Sequence, residues 1–232
     1  MSFKPPYGTP IVDSLVSGLI SCWVMNKGSG TTAFDIASDE NDGAFSPTPP
    51  TWDALGIEFN GSSNFLTLST ISEIAIGSAF TVAGRFNSDV TDGFDNIFSQ
   101  TNGAGDRLAI GFGDDDTLRG GLYDGSWNGL KSGAVAEGVV HDFAYSWDGS
   151  SEGWLTIDGV TQVGTSNPGT SGNVATYIGR RTDTDKYFDG VLHHIYLYNR
   201  VLTSPERSLL HNNPYYMFYS PTTGTWVVDL NA

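Results

Sequence analysis

Apolar residues fall in short runs along this chain, and each run is closed by glycine, proline, asparagine or aspartate. That punctuation predicts strands over Gly18–Asn26, Gly56–Phe59, Phe65–Ser69, Phe80–Phe86, Asn96–Gln100 and Arg107–Phe112. Further strands are predicted over Leu118–Tyr123, Asp142–Trp147, Gly153–Ile157, Ala175–Gly179 and Gly190–Tyr198. Several alternate with period two, as Phe143, Tyr145 and Trp147 do against Ala144 and Ser146. The dipeptides Asp148-Gly149 and Asp158-Gly159 are hairpin signals, so Phe143–Trp147, Trp154–Ile157 and Val160–Val163 read as a meander.

One stretch breaks the strand pattern. Thr203-Ser204-Pro205-Glu206 reads as an N-cap, a first-turn proline and the glutamate of a capping box. Arg207–His211 continues this helix until Asn212-Asn213-Pro214 stops it. The reading divides the chain into an arm over residues 1–17, a sandwich over 18–213 and an aromatic tail over 214–232. The tail is apolar enough to pack on the domain or on a neighbour.

Length and composition allow either one large β-sandwich or two small domains. The chain has 232 residues, 39% of them hydrophobic and 16% charged, which excludes a disordered tail. A domain of this size buries roughly 70% of its unfolded surface, so it needs no disulfide or metal to fold. The single cysteine, Cys22, lies in an apolar strand without a basic neighbour and reads as a buried core residue. Lys and Arg total 11 against 26 Asp and Glu, a net charge of −15. Such a field repels phosphate backbones and anionic lipid, so nucleic acid and membrane are not expected partners. The segment Ile11–Met25 is interrupted by Asp13 and lacks a cleavage pattern, so neither an export signal nor a transmembrane helix is expected.

Three ordered stretches resemble a concanavalin A-like lectin/glucanase domain of the laminin-G-like kind. The first is Gly18–Gly30 with its tryptophan Trp23, followed by Asp35. The second is Ile57–Gly61 leading into Phe65–Leu68. The third is the meander with Trp147-Asp148-Gly149, then Tyr177-Ile178-Gly179 and the closing run Phe188–Leu202. The resemblance implies an all-β fold: a two-sheet antiparallel jelly-roll sandwich with one short C-terminal helix. Pro214-Tyr215-Tyr216, with Met217-Phe218 after it, is similar to endings of laminin-G-like proteins encoded by bacteriophages. That similarity implies a virion or extracellular surface location, reached by host lysis rather than by a signal peptide. Where many relatives carry an acidic pair in the closing strand, this chain has His193-His194, which removes an aspartate that holds a structural calcium in the glucanase branch.

Catalytic chemistry fails on spacing. Glucanases of this fold set two glutamates on one strand face, about 5–5.5 Å apart in a retaining enzyme. The six glutamates here are Glu40, Glu58, Glu73, Glu137, Glu152 and Glu206, and no two lie within ten residues of each other. A dispersed acid pair remains open. Gly149–Gly153 matches G-x-S-x-G, but it joins two strands, whereas a nucleophile elbow needs a helix after it. Adjacent His193 and His194 point to opposite faces of a strand and cannot share an ion; one is expected buried and the other exposed.

Binding chemistry has more to draw on. Asp114 and Asp116 in an acidic turn offer two oxygens toward calcium, which laminin-G relatives hold at loop tips, although a solvated acidic turn is the simpler reading. A sugar needs an aromatic plate beside hydrogen-bonding groups. The turn-like string carrying Tyr123, Asp124, Trp127 and Asn128 provides these, with Arg85 as an addition from an otherwise apolar strand. The expectation is a non-catalytic surface protein that decorates a capsid or fibre, with a glycan or a capsid or fibre protein as partner. A homo-oligomer is left open. A free carbohydrate-binding module and a glycoside hydrolase with dispersed acids are the alternatives.

Overall fold

The computed structural model describes residues 14–37, 41–69, 71, 74, 78–101, 107–123, 127–165, 175–181, 186–220 and 225–226. In chain order the strands are β1 (Leu19–Val24), β2 (Thr32–Ala33), β3 (Gly43–Phe45), β4 (Thr51–Trp52), β5 (Ile57–Asn60) and β6 (Leu66–Leu68). Next come β7 (Phe80–Ser88), β8 (Asn96–Thr101), β9 (Arg107–Phe112), β10 (Thr117–Tyr123) and β11 (Trp127–Ala134). Then come β12 (Val140–Trp147), β13 (Glu152–Ile157), β14 (Val160–Thr165), β15 (Ala175–Ile178) and β16 (Asp189–Tyr198), helix α1 (Ser204–Asn212) and a two-stranded pair, β17 (Tyr219–Ser220) with β18 (Thr225–Trp226).

Two eight-stranded sheets form, and their paired strands are antiparallel. The first has the order β14-β13-β12-β7-β16-β5-β4. β1 joins it on the edge of β16 beyond the short β5 pairing. The second has the order β11-β10-β9-β8-β15-β6-β3-β2. The chain crosses repeatedly between sheets, as the expected jelly-roll sandwich requires.

Alternation along the strands builds the core between the sheets. Phe80, Val82 and Phe86 of β7 meet Phe143, Tyr145 and Trp147 of β12, with Leu108, Ile110 and Phe112 of β9 opposite. Phe86 sits at the crossing, edge-on to Phe112 and Phe188 and tilted against Phe143 and His141. The other face of the first sheet is covered as well. Ala83, Ala144, Tyr196 and Tyr198 pack there with Leu202 and Leu210, and Met217 and Phe218 of the tail complete this second cluster. Period-two alternation therefore survives in β12, yet its outward residues are also buried, with Ser146 bonded to Thr81 at 2.8 Å.

Cys22 is fully buried in that cluster, where burial and then Asp35 push its thiol well above the ordinary value. It stays a neutral, unreactive core residue. His193 and His194 are both buried, which corrects the expectation that one is exposed. Register shifts between Leu192 and His194, and the covering of both faces leaves neither ring in water. His193 Nδ1 lies 2.8 Å from the Leu55 carbonyl and His194 Nδ1 lies 3.2 Å from the Tyr215 hydroxyl. Burial first, with the neighbouring Arg85 as a further cause, lowers both imidazoles and keeps them neutral.

Helix α1 starts as its sequence predicts. Thr203 is the N-cap and Glu206 completes a reciprocal capping box. The Glu206 carboxylate also accepts both Arg200 terminal nitrogens at 2.9 Å, while Arg200 reaches back to the Ser17 carbonyl. Burial alone would raise the Glu206 carboxyl, but the bonds from Arg200 and Thr203 outweigh it and hold the pKa at about 2. An acid whose folded pKa is depressed adds stability above its ordinary value of 4.5, and that stability is lost as pH falls from there through about 2. Glu206→Gln is expected to cost about 2–3 kcal/mol at pH 7. The cost should shrink toward zero near pH 2, as urea unfolding at the two pH values will measure.

Candidate functional site

Of the residues singled out for sugar binding, Arg85 and Asn128 lie on different sheets. Arg85 lies on the α1 side of the first sheet, bound side-on to both oxygens of Asp142 at 2.8 Å and to the His211 carbonyl at 3.2 Å. The hydrogen bond to Asp142 raises its already high pKa further. Asn128 is exposed on β11, at the edge of the other sheet. Tyr123 and Trp127 pair across β10 and β11, but their side chains and the whole of Asp124 lie outside the described residues.

The acidic turn is neutralised from within the chain. Arg119 bonds Asp114 at 3.1 Å and Asp115 at 2.9 Å, and Lys131 reaches Asp115 at 3.2 Å. These partners and the Thr117 hydroxyl, whose contribution is the largest, hold the Asp115 carboxyl well below its ordinary value. Asp116 turns away to accept from the Thr91 hydroxyl at 3.0 Å. Calcium needs six to eight oxygens and uncompensated negative charge. With Asp114 and Asp116 committed to different partners and two cations already present, this turn does not fit the ion.

A different group of side chains combines the chemistry that sugar binding requires. In β15, Thr176 and Ile178 are buried toward the core, so Tyr177 between them faces outward. Antiparallel pairing sets Tyr177 beside Thr67 of β6. Phe65, two residues before Thr67, comes edge-on to the Tyr177 ring at 5.7 Å. Gly179 then turns the chain at φ +83, and a side chain there would lie 2.4 Å from the Phe59 ring. Arg180 follows the turn and bridges to Tyr187, whose ring stands 6.2 Å from Phe65.

The Arg180 guanidinium rests on this three-ring floor. It lies 4.5 Å from the centre of Phe65, 4.9 Å from Tyr177 and 5.6 Å from Tyr187. Such contacts are cation–π attractions, worth about 0.5–2 kcal/mol each depending on desolvation. Its Nε bonds the Arg181 carbonyl at 3.1 Å, and its own carbonyl accepts from Ser99 Oγ at 2.8 Å. Lys186 bonds the Gly93 carbonyl at 3.2 Å and so ties down the segment that carries Tyr187. All four platform residues are half-buried, presenting apolar ring surface and guanidinium N–H groups together.

A model of the concanavalin A-like lectin/glucanases superfamily, of laminin-G type, matches residues 60–206. The chain belongs to this superfamily. Among curated proteins none matches it in sequence. Solved structures similar to this concanavalin A-like domain include a Trypanosoma rangeli sialidase in complex with sialic acid, at TM-score 0.68 and 17% identity. That likeness covers 86% of the chain but 33% of the sialidase, so the chain spans about a third of that enzyme. Domain 4 of a GH43 extracellular arabinanase from Geobacillus stearothermophilus, in complex with arabinotriose, is similar at TM-score 0.65 and 16% identity, covering 84% of this chain and 98% of that one. The binding domain of Paraclostridial Mosquitocidal Protein 1 is similar at TM-score 0.66 and 12% identity, covering 89% and 53%. At these identities the likeness is one of fold.

Within this concanavalin A-like domain, Asp142, Asp158 and His211 bring their ligand atoms within 4.8 Å of one another. Asp142 and His211 fasten α1 to the first sheet, and Asp158 ties the β13–β14 turn to β12. Asp142 takes Arg85 and His211, the latter at 3.0 Å, and Asp158 takes His141 at 2.6 Å and the Asp142 backbone N–H at 2.9 Å. Sequence reasoning missed the platform. The signal available was aromatic and basic residues interleaved in Tyr177–Arg181 and Lys186–Phe188.

Proposed function

We propose that this chain is a non-catalytic, lectin-like carbohydrate-binding module whose contact surface is the platform of Phe65, Tyr177, Arg180 and Tyr187. The observation that carries the reading is Arg180 held on three outward rings without a carboxylate partner among the described residues. A pyranose ring presents C–H groups on its faces and hydroxyls around its rim. Aromatic faces take the first and guanidinium N–H groups the second. The sialic acid and arabinotriose complexes of similar folds support a sugar as the ligand class.

The non-catalytic part rests on how the acids are used. A glycosidase needs one protonated and one ionised carboxyl facing the substrate. Asp142 and Asp158 come together, but both accept hydrogen bonds from Arg85, His211 and His141. Among the described residues no helix is long and apolar enough to cross a membrane. We place the module on a virion or other extracellular surface, as decoration of a capsid or fibre. Immunogold labelling of purified particles tests that location, and unlabelled particles would sink it.

The binding reading is tested with a glycan array that includes neutral and acidic oligosaccharides, followed by calorimetry on the hits. Tyr177→Ala is expected to weaken the best ligand by about tenfold or more, the loss of one stacking ring, with unchanged circular dichroism. A wild-type protein that retains no glycan on the array overturns the proposal.

A further inference from the structure

We infer that the platform selects an acidic saccharide, with Arg180 receiving the carboxylate of a uronic acid residue while the rings hold the sugar face. This rests on the platform being the sugar site, and it adds the charge class of the sugar.

The first argument is the way Arg180 is held. A guanidinium has two separable binding surfaces: its flat face, which stacks on π systems, and its edge, which offers paired N–H groups in the geometry of a carboxylate. Here Phe65, Tyr177 and Tyr187 take the face, and the Arg181 carbonyl takes Nε. The terminal nitrogens of Arg180 meet no acceptor among the described residues.

The second argument is the contrast with its neighbours. Acids outnumber basic residues by 26 to 11, so an arginine readily finds a carboxylate. Arg85 has Asp142, Arg119 has Asp114 and Asp115, and Arg200 has Glu206, while Arg207 bonds the Leu202 carbonyl. Arg180 instead sits on rings that hold the cation without satisfying its edge. Among the described residues the edge is thus left for an anionic group arriving from outside, and the rings fix how far above the floor that group binds.

The net charge of −15 opposes any anion at long range. At about 0.1 M salt, charges farther apart than about 10 Å are largely screened, so the contact with Arg180 decides the affinity of a small ligand carrying one carboxylate. A polyanion would meet the whole field and gain less.

The test compares a disaccharide bearing one uronic acid residue with its methyl ester, by titration calorimetry at 0.15 M salt. The ester keeps the ring and hydroxyls, removes the charge and adds one methyl group. Wild type is expected to bind the acid about tenfold or more tighter than the ester, the usual worth of a charge-assisted hydrogen bond. Arg180→Gln should bring the acid down to the ester's affinity and leave the ester unchanged. Arg180→Lys, which keeps the charge but not the fork, should fall between them. Melting curves of both variants show whether the fold is intact, and the Lys variant keeps the comparison usable if Gln unfolds.

Equal affinities of wild type for acid and ester overturn the acidic preference while leaving sugar binding standing. A preference that survives Arg180→Gln overturns the role of Arg180. Binding of neither compound, together with an empty glycan array, overturns the platform itself.

Discussion

Asp95→Asn is expected to stabilise the protein at pH 8 by on the order of 3 kcal/mol and to change nothing below about pH 4. The reason lies in where Asp95 sits. Its side chain is buried just before β8, and among the described residues no donor bonds its carboxylate. Burial is the main cause that raises its pKa to about 7, with Asp189 and Asp92 adding repulsion and Lys186 opposing it. In the unfolded chain the same carboxyl ionises near 3.8, so between that pH and about 7 the folded form holds a proton that the unfolded form has released. Stability therefore falls as pH rises through this window and stays lower above it. Glu206 gives the opposite slope at lower pH, and the buried neutral His193 and His194 also cost stability as pH falls below 6.5. Denaturant unfolding of wild type and Asp95→Asn at pH 4, 6 and 8 measures the effect. An unchanged pH profile in the variant would show that Asp95 is ionised in the fold.

Phe86→Ala should cost about 3–5 kcal/mol, a large share of the 5–15 kcal/mol that holds an ordinary domain together. Phe86 has no exposed surface and touches three phenylalanines from three different parts of the chain. Its ring fills the crossing of β7, β9 and β12, where paired backbones on either side resist collapse into the space. A shift in the denaturation midpoint at unchanged slope would report lost packing rather than a changed unfolded state. A loss under about 1 kcal/mol would mean that the sheets close over the cavity. Val163→Ala on the exposed strand β14 is the control and should stay within about 0.5 kcal/mol.

The long strands were legible because each has enough residues to show a period and a turn to end it. Phe143, Tyr145 and Trp147 point to the core as their spacing predicts. β2 and β4 are two residues long and β3 is three, too short to carry any pattern. β11 escaped notice because Trp127–Ala134 mixes glycine, lysine and serine on an exposed edge. The capped helix was readable to its N-cap residue, since a capping box is a local code. The burial of both His193 and His194 was not readable, because it depends on a register shift and on what covers the sheet. The platform was least accessible of all. Phe65 and Tyr187 lie more than a hundred residues apart in sequence and meet only because β6 pairs with β15.

Gly179 divides the labour between scaffold and surface. Its φ of +83 and the Phe59 ring against it bind that position to the core, whereas Tyr177 and Arg180 on either side look outward. A change at 177 or 180 acts on the exposed rings and guanidinium and is expected to leave the sandwich intact. A change at 179 must displace Phe59 before it can alter anything else. The backbone turn and the exposed face are thus separable by mutation, because only position 179 is wedged against the core.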